Sequence, residues 1–258
     1  MPFANAAGRK LEYEWFGEAT AAAPALVFLH EGLGSIRQWR DFPAQVAAAT
    51  GCRALVYNRY GYGDSDVLEA PRKPDFMHNE ARIALPELLL ALKVHEPILV
   101  GHSDGASISL IHAGSGFPVR AVAVAAPHVF MEAFNLVSIA DLTRTFETTD
   151  LPEKLGKYHR NARKTFHGWS DVWQSPGFRD WDIQEFLPGI KCPVLAVQGS
   201  DDQYGSMAQL HAIARQVKGP CELLEIPGCG HSPHREQLKV MLDALVRFVA
   251  SVRNGQAS

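Results

Sequence analysis

Three short stretches carry side chains suited to act together on a carbonyl group. In V-G-H-S-D-G-A, residues 100 to 106, Ser103 stands two positions from Gly101 and two from Gly105, the pattern G-x-S-x-G. Asp201 and Asp202 follow the apolar run P-V-L-A-V within Q-G-S-D-D-Q-Y-G, and His231 follows E-L-L-E-I within P-G-C-G-H-S-P-H. A serine hydroxyl is a weak nucleophile at neutral pH, so it needs a base to take its proton and an acid to orient that base. Serine, histidine and a carboxylate supply that set. The chemistry they support is attack of Ser103 on a carbonyl, with His231 as general base and one of the two aspartates behind it.

The glycine spacing has a mechanical cause. A strand that turns sharply into a helix brings residues on both sides of the turn so close that side chains would collide. Glycine at 101 and 105 removes the collision, and Ser103 at the apex is exposed on a strained backbone. The N–H of Asp104, at the positive end of the new helix, then points at a developing oxyanion. The Asp104 carboxylate either serves the helix dipole or faces the pocket and favours substrates with a nearby cation. Asp104 is not itself the nucleophile, because placing it at the apex puts His102 where a small residue is required.

These loops must be held by regular elements. Runs apolar on both faces recur at 25–29, 53–57, 97–100, 121–125, 193–197 and 222–226, as expected of parallel strands covered by helices on both sides. K-L-E-Y-E-W-F alternates and reads as an antiparallel edge strand. Between the runs, Ser35 with Gln38 and Ser206 with Gln209 form capping-box patterns ahead of helices. The segment 78–93 reads as a helix bent at Pro86, and Ser232-Pro233 opens a last helix with Leu238, Met241, Leu242, Leu245 and Phe248 along one face. Alternation of strand and helix predicts an α/β fold with a doubly wound, mostly parallel sheet. In such a sheet the strand-exit loops open on one edge, where ligands bind, so serine, acid and histidine converge there.

One interval breaks the rhythm. Residues 131–190 are too long for a connection and carry Phe146, Phe166, Trp169, Trp173, Phe178, Trp181 and Phe186 among many charges. They read as a helical cap inserted between two parts of a core, 1–130 and 191–258. Cap aromatics pack mainly with one another, yet seven of them over a catalytic edge point to an apolar or aromatic pocket in which Trp169 and Trp173 touch substrate. His128, after a strand end, lines the pocket or packs its loop. Glu132 reads as a solvated charge, and His234 as a first-turn residue facing solvent. An alanine-rich turn at 19–25 and a polar tail at 254–258 are the mobile parts.

The order Ser, Asp, His on these elements resembles the α/β-hydrolase superfamily over nearly the whole chain. L-H-E-G-L-G-S, N-R-Y-G-Y-G-D-S, G-H-S-D-G and the pair G-S-D-D with G-C-G-H carry the resemblance. It implies a catalytic triad of Ser103, Asp202 and His231, with Asp202 preferred because the acid commonly sits third after the glycine, here Gly199; Asp201 is the reserve. It implies a second oxyanion donor in H-E-G-L-G-S, Gly32 first and Leu33 second. Glu31 departs from the usual His-Gly there, and is expected to be paired, with Arg59 or another cation, or turned away, since a bare carboxylate beside an oxyanion opposes catalysis. R-Y-G-Y-G-D-S reads as scaffold near the elbow.

The expected activity is hydrolysis of a small, apolar or aromatic carboxylic ester, or thioester, through an acyl-enzyme, with no cofactor and no metal. Its rivals are carbon–carbon bond hydrolysis of ring-cleavage products, though the H-G-x-G-P-G loop typical of those relatives is missing here, and a non-catalytic ligand receptor on the same fold.

Composition limits the partners. With 47% apolar residues in 258, the chain buries a large core, and a net charge of −3 gives no basic surplus for nucleic acid or an anionic membrane. The start M-P-F-A-N-A-A-G lacks a signal-peptide pattern and no stretch is long enough to span a bilayer, so a soluble cytoplasmic protein acting on a small molecule is expected. A homo-oligomer is compatible with the sequence. The four cysteines show neither zinc nor disulfide spacing; Cys52, Cys192 and Cys221 read as buried thiols.

Overall fold

The structure, a computed structural model, describes residues 1–18 and 23–255. Among them, β1 (Phe3–Ala6), β2 (Arg9–Phe16), β3 (Leu26–Leu29), β4 (Ala54–Tyr57), β5 (Ile98–His102), β6 (Ala121–Ala125), β7 (Val194–Gly199) and β8 (Cys221–Ile226) form one sheet. Its order is β1-β2-β4-β3-β5-β6-β7-β8. β1 and β2 pair antiparallel with each other, as do β2 and β4; every other pairing is parallel. Every residue of β3 to β7 is buried, the pattern expected of strands with helices on both faces.

Two strands differ from expectation. β2 is not the edge, because the four-residue β1 pairs outside it; so short a run carries no readable alternation. β8 is not apolar on both faces: Glu222, Leu223 and Glu225 are exposed, since β8 has a neighbour on one side only.

Alternate side chains of the strands feed two cores. Leu26, Phe28, Val56, Val100, Ala123 and Leu195 pack with α1 (Phe42–Thr50) and a C-terminal helix on one face. Val27, Leu29, Leu55, Leu99, Val122 and Ala196 face α2 (Phe76–Asn79), α3 (Leu85–Ala91) and α4 (Asp104–Gly114) on the other. Helix α4 is buried from Asp104 to Ala113, so the elbow sits on a rigid central rod.

Residues 131–190 carry α5 (Ala133–Thr148), α6 (Leu151–Gly156) and α7 (Ala162–Trp173), followed by short 3-10 turns, and α8 (Met207–Gln216) lies between β7 and β8. Phe146 and Phe166 stack at 3.8 Å and, with Leu155 and Ala162, give α5 to α7 a small core of their own.

Several helix signals act differently from their sequence reading. Ser35 makes no cap bond; the chain makes a 3-10 turn over Ile36–Trp39 and enters α1 after Asp41. Ser206 caps α8 by accepting from Ala208 N, but the Gln209 side chain turns away to Phe130 and Glu132. Between α2 and α3 a π turn at Glu80–Ala84 interrupts the α-helical pattern without breaking the helix, and Pro86 follows it as the second residue of α3. Ser232-Pro233 opens only α9 (Pro233–Glu236); the long helix is α10 (Leu238–Arg253), whose Leu238 is exposed while Met241, Leu245 and Phe248 are buried. Cys52 is buried, while Cys192 and Cys221 are half-buried. Residues 19–22 of the alanine-rich turn and 256–258 of the tail lie outside the described residues. No helix among the described residues is long and apolar enough to cross a membrane.

Candidate active site

Ser103 adopts φ 53° and ψ −118°, a left-handed conformation rare for a side chain with a Cβ. The glycines show why it persists. A Cβ on Gly101 would lie 2.4 Å from the Gly105 carbonyl oxygen, and one on Gly105 would lie 2.0 Å from the Leu29 carbonyl oxygen. Both contacts are with backbone, so neither can give way without moving β3 or α4. Ser103 N donates to Ala125 O at 3.0 Å, and Ser103 O accepts from Ala106 N at 2.8 Å, which pins the apex on both sides.

Three strand-exit loops meet at this apex. Ser103 Oγ donates to His231 Nε2 at 3.0 Å, and His231 Nδ1 donates to Asp202 Oδ1 and Oδ2 at 2.9 and 2.8 Å. Asp202 also accepts from Gln198 Nε2 at 2.6 Å and Tyr204 N at 2.8 Å. Burial alone would push its carboxyl up, but the bond from His231, that ring's charge and the Tyr204 N–H outweigh burial and hold it below the usual range. Asp201 points elsewhere: it is exposed and accepts from Ser200 Oγ at 2.7 Å. The loops are pressed together, since a Cβ on Gly199 would meet Cys229 O at 2.1 Å.

Beside Ser103 opens a pocket of about 150 Å³ lined by Glu31, Gly32, Leu33, Ser103, Asp104, His128, Asn135, Ile139, Leu142, Trp169, Trp173, Tyr204 and His231. The N–H groups of Gly32, Leu33 and Asp104 have no acceptor among the described residues, and all three residues line the pocket. Gly32 is crowded from above, as a Cβ there would lie 2.1 Å from Trp169 Nε1. Asn135, Ile139, Leu142 and Tyr204 were not singled out from the sequence. Asn135, Ile139 and Leu142 lie on one face of α5, and their spacing of three to four residues is the only signal that could have found them.

The Asp104 carboxylate borders the pocket with neither oxygen hydrogen-bonded; its nearest cation is Arg59, whose Nη2 lies 3.9 Å from Oδ2. Burial pushes this carboxyl up, against the opposing pull of Arg59 and Arg72. Glu31 is paired, though not through its carboxylate with Arg59. Arg59 Nη2 donates to the Glu31 carbonyl at 2.9 Å, while the carboxylate lies 3.4 Å from His102 Nδ1 and 3.7 Å from Arg235 Nη2. Burial opposes its charge, yet His102 and Arg235 hold the carboxyl well below the usual range. His128 both lines the pocket and packs its loop, donating from Nε2 to Tyr204 O at 2.7 Å.

Two readings are corrected. His234 does not face solvent; it is buried against Trp39, Phe42 and His102, because α9 folds back over the strand ends. Glu132 is not a free surface charge: it caps α5 and accepts from Ser206 N, Ser206 Oγ and Gln209 Nε2, joining the loop after β6 to α8.

The buried histidines set an acid limit on stability. His30, His112, His128, His159 and His234 are buried, and burial lowers the pKa of each, His112 and His128 to about 4. Between about pH 6.5 and pH 4 the unfolded chain binds protons that these folded rings refuse, so stability is complete above that window and lost as pH falls through it. Each ring contributes about 1.4 kcal/mol per pH unit there. Urea unfolding at pH 7 and pH 5 is expected to differ by about 4 kcal/mol from His112 and His128 alone, and His112→Leu to reduce that difference by about 2 kcal/mol. An unchanged difference in the variant would show that His112 is not held neutral.

Comparison with known proteins agrees with this architecture. Residues 26–244 match the model of the alpha/beta hydrolase family. The chain is 24% identical to 3-oxoadipate enol-lactonase 1 of Acinetobacter baylyi, over 96% of each chain. It is 23% identical to the sn-1-specific diacylglycerol lipase ABHD11 of Mus musculus, over 90% of this chain and 83% of that one. A carboxylesterase structure from Nitrososphaera gargenis superposes with a TM-score of 0.81 at 20% identity, covering 98% of this chain and 100% of that one. With most of its length matched, the chain belongs to the alpha/beta hydrolase family and is, at that level, a hydrolase.

Proposed function

We propose that the protein is a serine hydrolase that cleaves small carboxylic esters or thioesters bearing apolar or aromatic groups. The observation that carries this reading is the unbroken bonded line Asp202–His231–Ser103 on the floor of a pocket edged by free N–H groups. Ser103 Oγ bonds to the carbonyl carbon as its proton passes to His231 Nε2, and Asp202 holds the imidazolium and its tautomer. The oxyanion rests on the N–H groups of Gly32 and Asp104, with Leu33 beside them. Collapse breaks the bond to the alcohol or thiol, which leaves with the proton from His231. Water then gives a proton to His231 as it attacks the acyl carbon, and the acid departs with Ser103 restored.

The pocket sets the size. A cavity of about 150 Å³ takes a group the size of benzene, so one side of the substrate is short or a single ring. Residues 131–190 act as a cap on a core made of 1–130 and 191–258, and Trp169 and Trp173 meet the substrate's apolar group.

A fluorophosphonate probe is expected to label Ser103, and p-nitrophenyl acetate and benzoate to outpace the laurate by about tenfold or more in kcat/KM. Faster turnover of a vinylogous diketone than of any ester replaces the reading with carbon–carbon cleavage; ligand capture without labelling or turnover replaces it with a receptor. Amino-acid esters belong in the series, because a preference for them that disappears in Asp104→Asn assigns charge reading to that carboxylate.

A further inference from the structure

Behind the reacting atoms lies a second polar line that the proposed chemistry does not use. His102, the residue before Ser103, is fully buried at the end of β5. Its Nε2–H donates to the backbone carbonyl of His231 at 2.7 Å. On the opposite side of the ring, Nδ1 lies 3.4 Å from Glu31 Oε2. Nε2 is hydrogen-bonded, whereas Nδ1 makes no hydrogen bond and meets the Glu31 carboxylate at ion-pair distance. A neutral imidazole has one N–H, so with Nε2 protonated the other nitrogen would set a lone pair beside that carboxylate. A second proton, on Nδ1, turns the contact into an ion pair.

The placement of the two residues gives the contact its consequence. Glu31 adjoins Gly32, His102 adjoins Ser103, and the accepted carbonyl belongs to His231 itself. Glu31 is also gripped by its own backbone, since its carbonyl accepts from Arg59 Nη2 at 2.9 Å and His30 Nδ1 at 2.7 Å. One imidazole thus ties the loop after β3, the elbow and the loop after β8 to each other. Resting on the hydrolase reading above, we propose that His102 is a positioning residue, doubly protonated between Glu31 and the His231 carbonyl, that fixes the His231 ring over Ser103.

The charged and titratable groups facing His102 are few. Glu31 comes from the loop after β3, the His231 ring lies 5.2 Å away, and the His234 ring on α9 lies 4.9 Å away, with Arg235 behind Glu31. Burial keeps His234 neutral, so Glu31 is the group that answers the His102 charge.

The test combines spectroscopy with kinetics on the full chain. With ¹⁵N-labelled histidine, the ring nitrogens of His102 are expected to give the signals of a doubly protonated imidazole near pH 7 in the wild type, and those of a neutral ring with a bare Nδ1 in Glu31→Gln. For a short p-nitrophenyl ester, His102→Leu is expected to lower kcat about a hundredfold with KM changed by less than about twofold, the scale of a 1 Å misplacement. His102→Gln, whose amide can still donate to the His231 carbonyl, is expected to recover about tenfold of that loss. A wild-type ring with one bare nitrogen near pH 7 overturns the double protonation. Equal losses in Leu and Gln, or a folded Leu variant with wild-type kcat, overturn the positioning role. If the Leu variant does not fold, the wild type, Glu31→Gln and His102→Gln carry the test. If the wild type neither labels nor turns over esters, the hydrolase reading fails instead, and the nitrogen signals still decide the state of His102.

Discussion

Replacing Ser103 by alanine is expected to lower kcat for a short p-nitrophenyl ester by about a millionfold, and adding His231→Ala to lower it no further. Ser103 Oγ and His231 Nε2 are 3.0 Å apart, so a proton passes directly between them. Once the nucleophile is gone the base has nothing to activate, and the losses do not add. KM is expected to stay within about threefold, because the apolar walls that bind substrate are untouched. Asp202→Asn follows a different course. Asp202 accepts from His231 Nδ1, Gln198 Nε2 and Tyr204 N, whereas asparagine has one acceptor oxygen and must turn its NH₂ toward a donor. If that donor is His231, the ring takes the tautomer that cannot accept from Ser103, and kcat falls by about ten-thousandfold. Steady-state rates with active-site titration check both values; a Ser103→Ala rate above about one thousandth of wild type removes Ser103 from the reaction.

What could be read from the sequence was what local sterics dictate. Gly101 and Gly105 announce the elbow because the clash they avoid lies within the turn and with β3, and any residue larger than glycine would meet backbone there. Buried parallel strands announce themselves by continuous apolarity, which located the exit carrying Asp202; the exit carrying His231 follows β8, which reads as apolar although Glu222 and Glu225 are exposed. Which aspartate faces His231 was not decided by spacing, since Asp201 and Asp202 share one tight loop whose twist sends them in opposite directions. Contacts between distant segments left no signal at all. His234 sits in a polar stretch like any surface residue and Glu132 is a lone charge in V-F-M-E-A-F, and only the fold-back of α9 and the approach of α8 bury the one and bond the other. Glu31 was expected to need a partner, but Arg59 took its carbonyl while its carboxylate went to His102 and Arg235.

Arg59→Met is expected to destabilise the fold by about 3–5 kcal/mol at about pH 8, the cost of leaving one member of a buried ion pair alone. The Arg59 and Asp104 side chains are 0% and 1% exposed, so water cannot replace the lost charge. Arg59 also donates to the His30 carbonyl at 3.2 Å and the Glu31 carbonyl at 2.9 Å, and its guanidinium lies 4.7 Å over the Tyr62 ring. Methionine fills similar space but can neither donate nor answer Asp104. Asp104→Asn in the same chain is expected to restore about half of the loss, because the orphaned charge goes while the His30 carbonyl stays without the Arg59 donor and the Glu31 carbonyl keeps only His30 Nδ1. The deficit has a pH signature with a definite sign. Burial already raises the Asp104 carboxyl, and without Arg59 it rises further above its unfolded value. A carboxyl raised in the folded state binds its proton there more tightly than in the unfolded chain, so its penalty is absent at low pH and grows as pH climbs through the folded value. The gap between wild type and Arg59→Met, followed by urea unfolding, should therefore narrow from about pH 8 to about pH 5. The buried histidines other than His30 cancel from that gap; Arg59 helps to depress His30, so its loss narrows the gap in the same direction, and the share that disappears when Asp104→Asn is added belongs to Asp104. A gap that stays constant with pH would mean that Arg59 acts through the carbonyls alone.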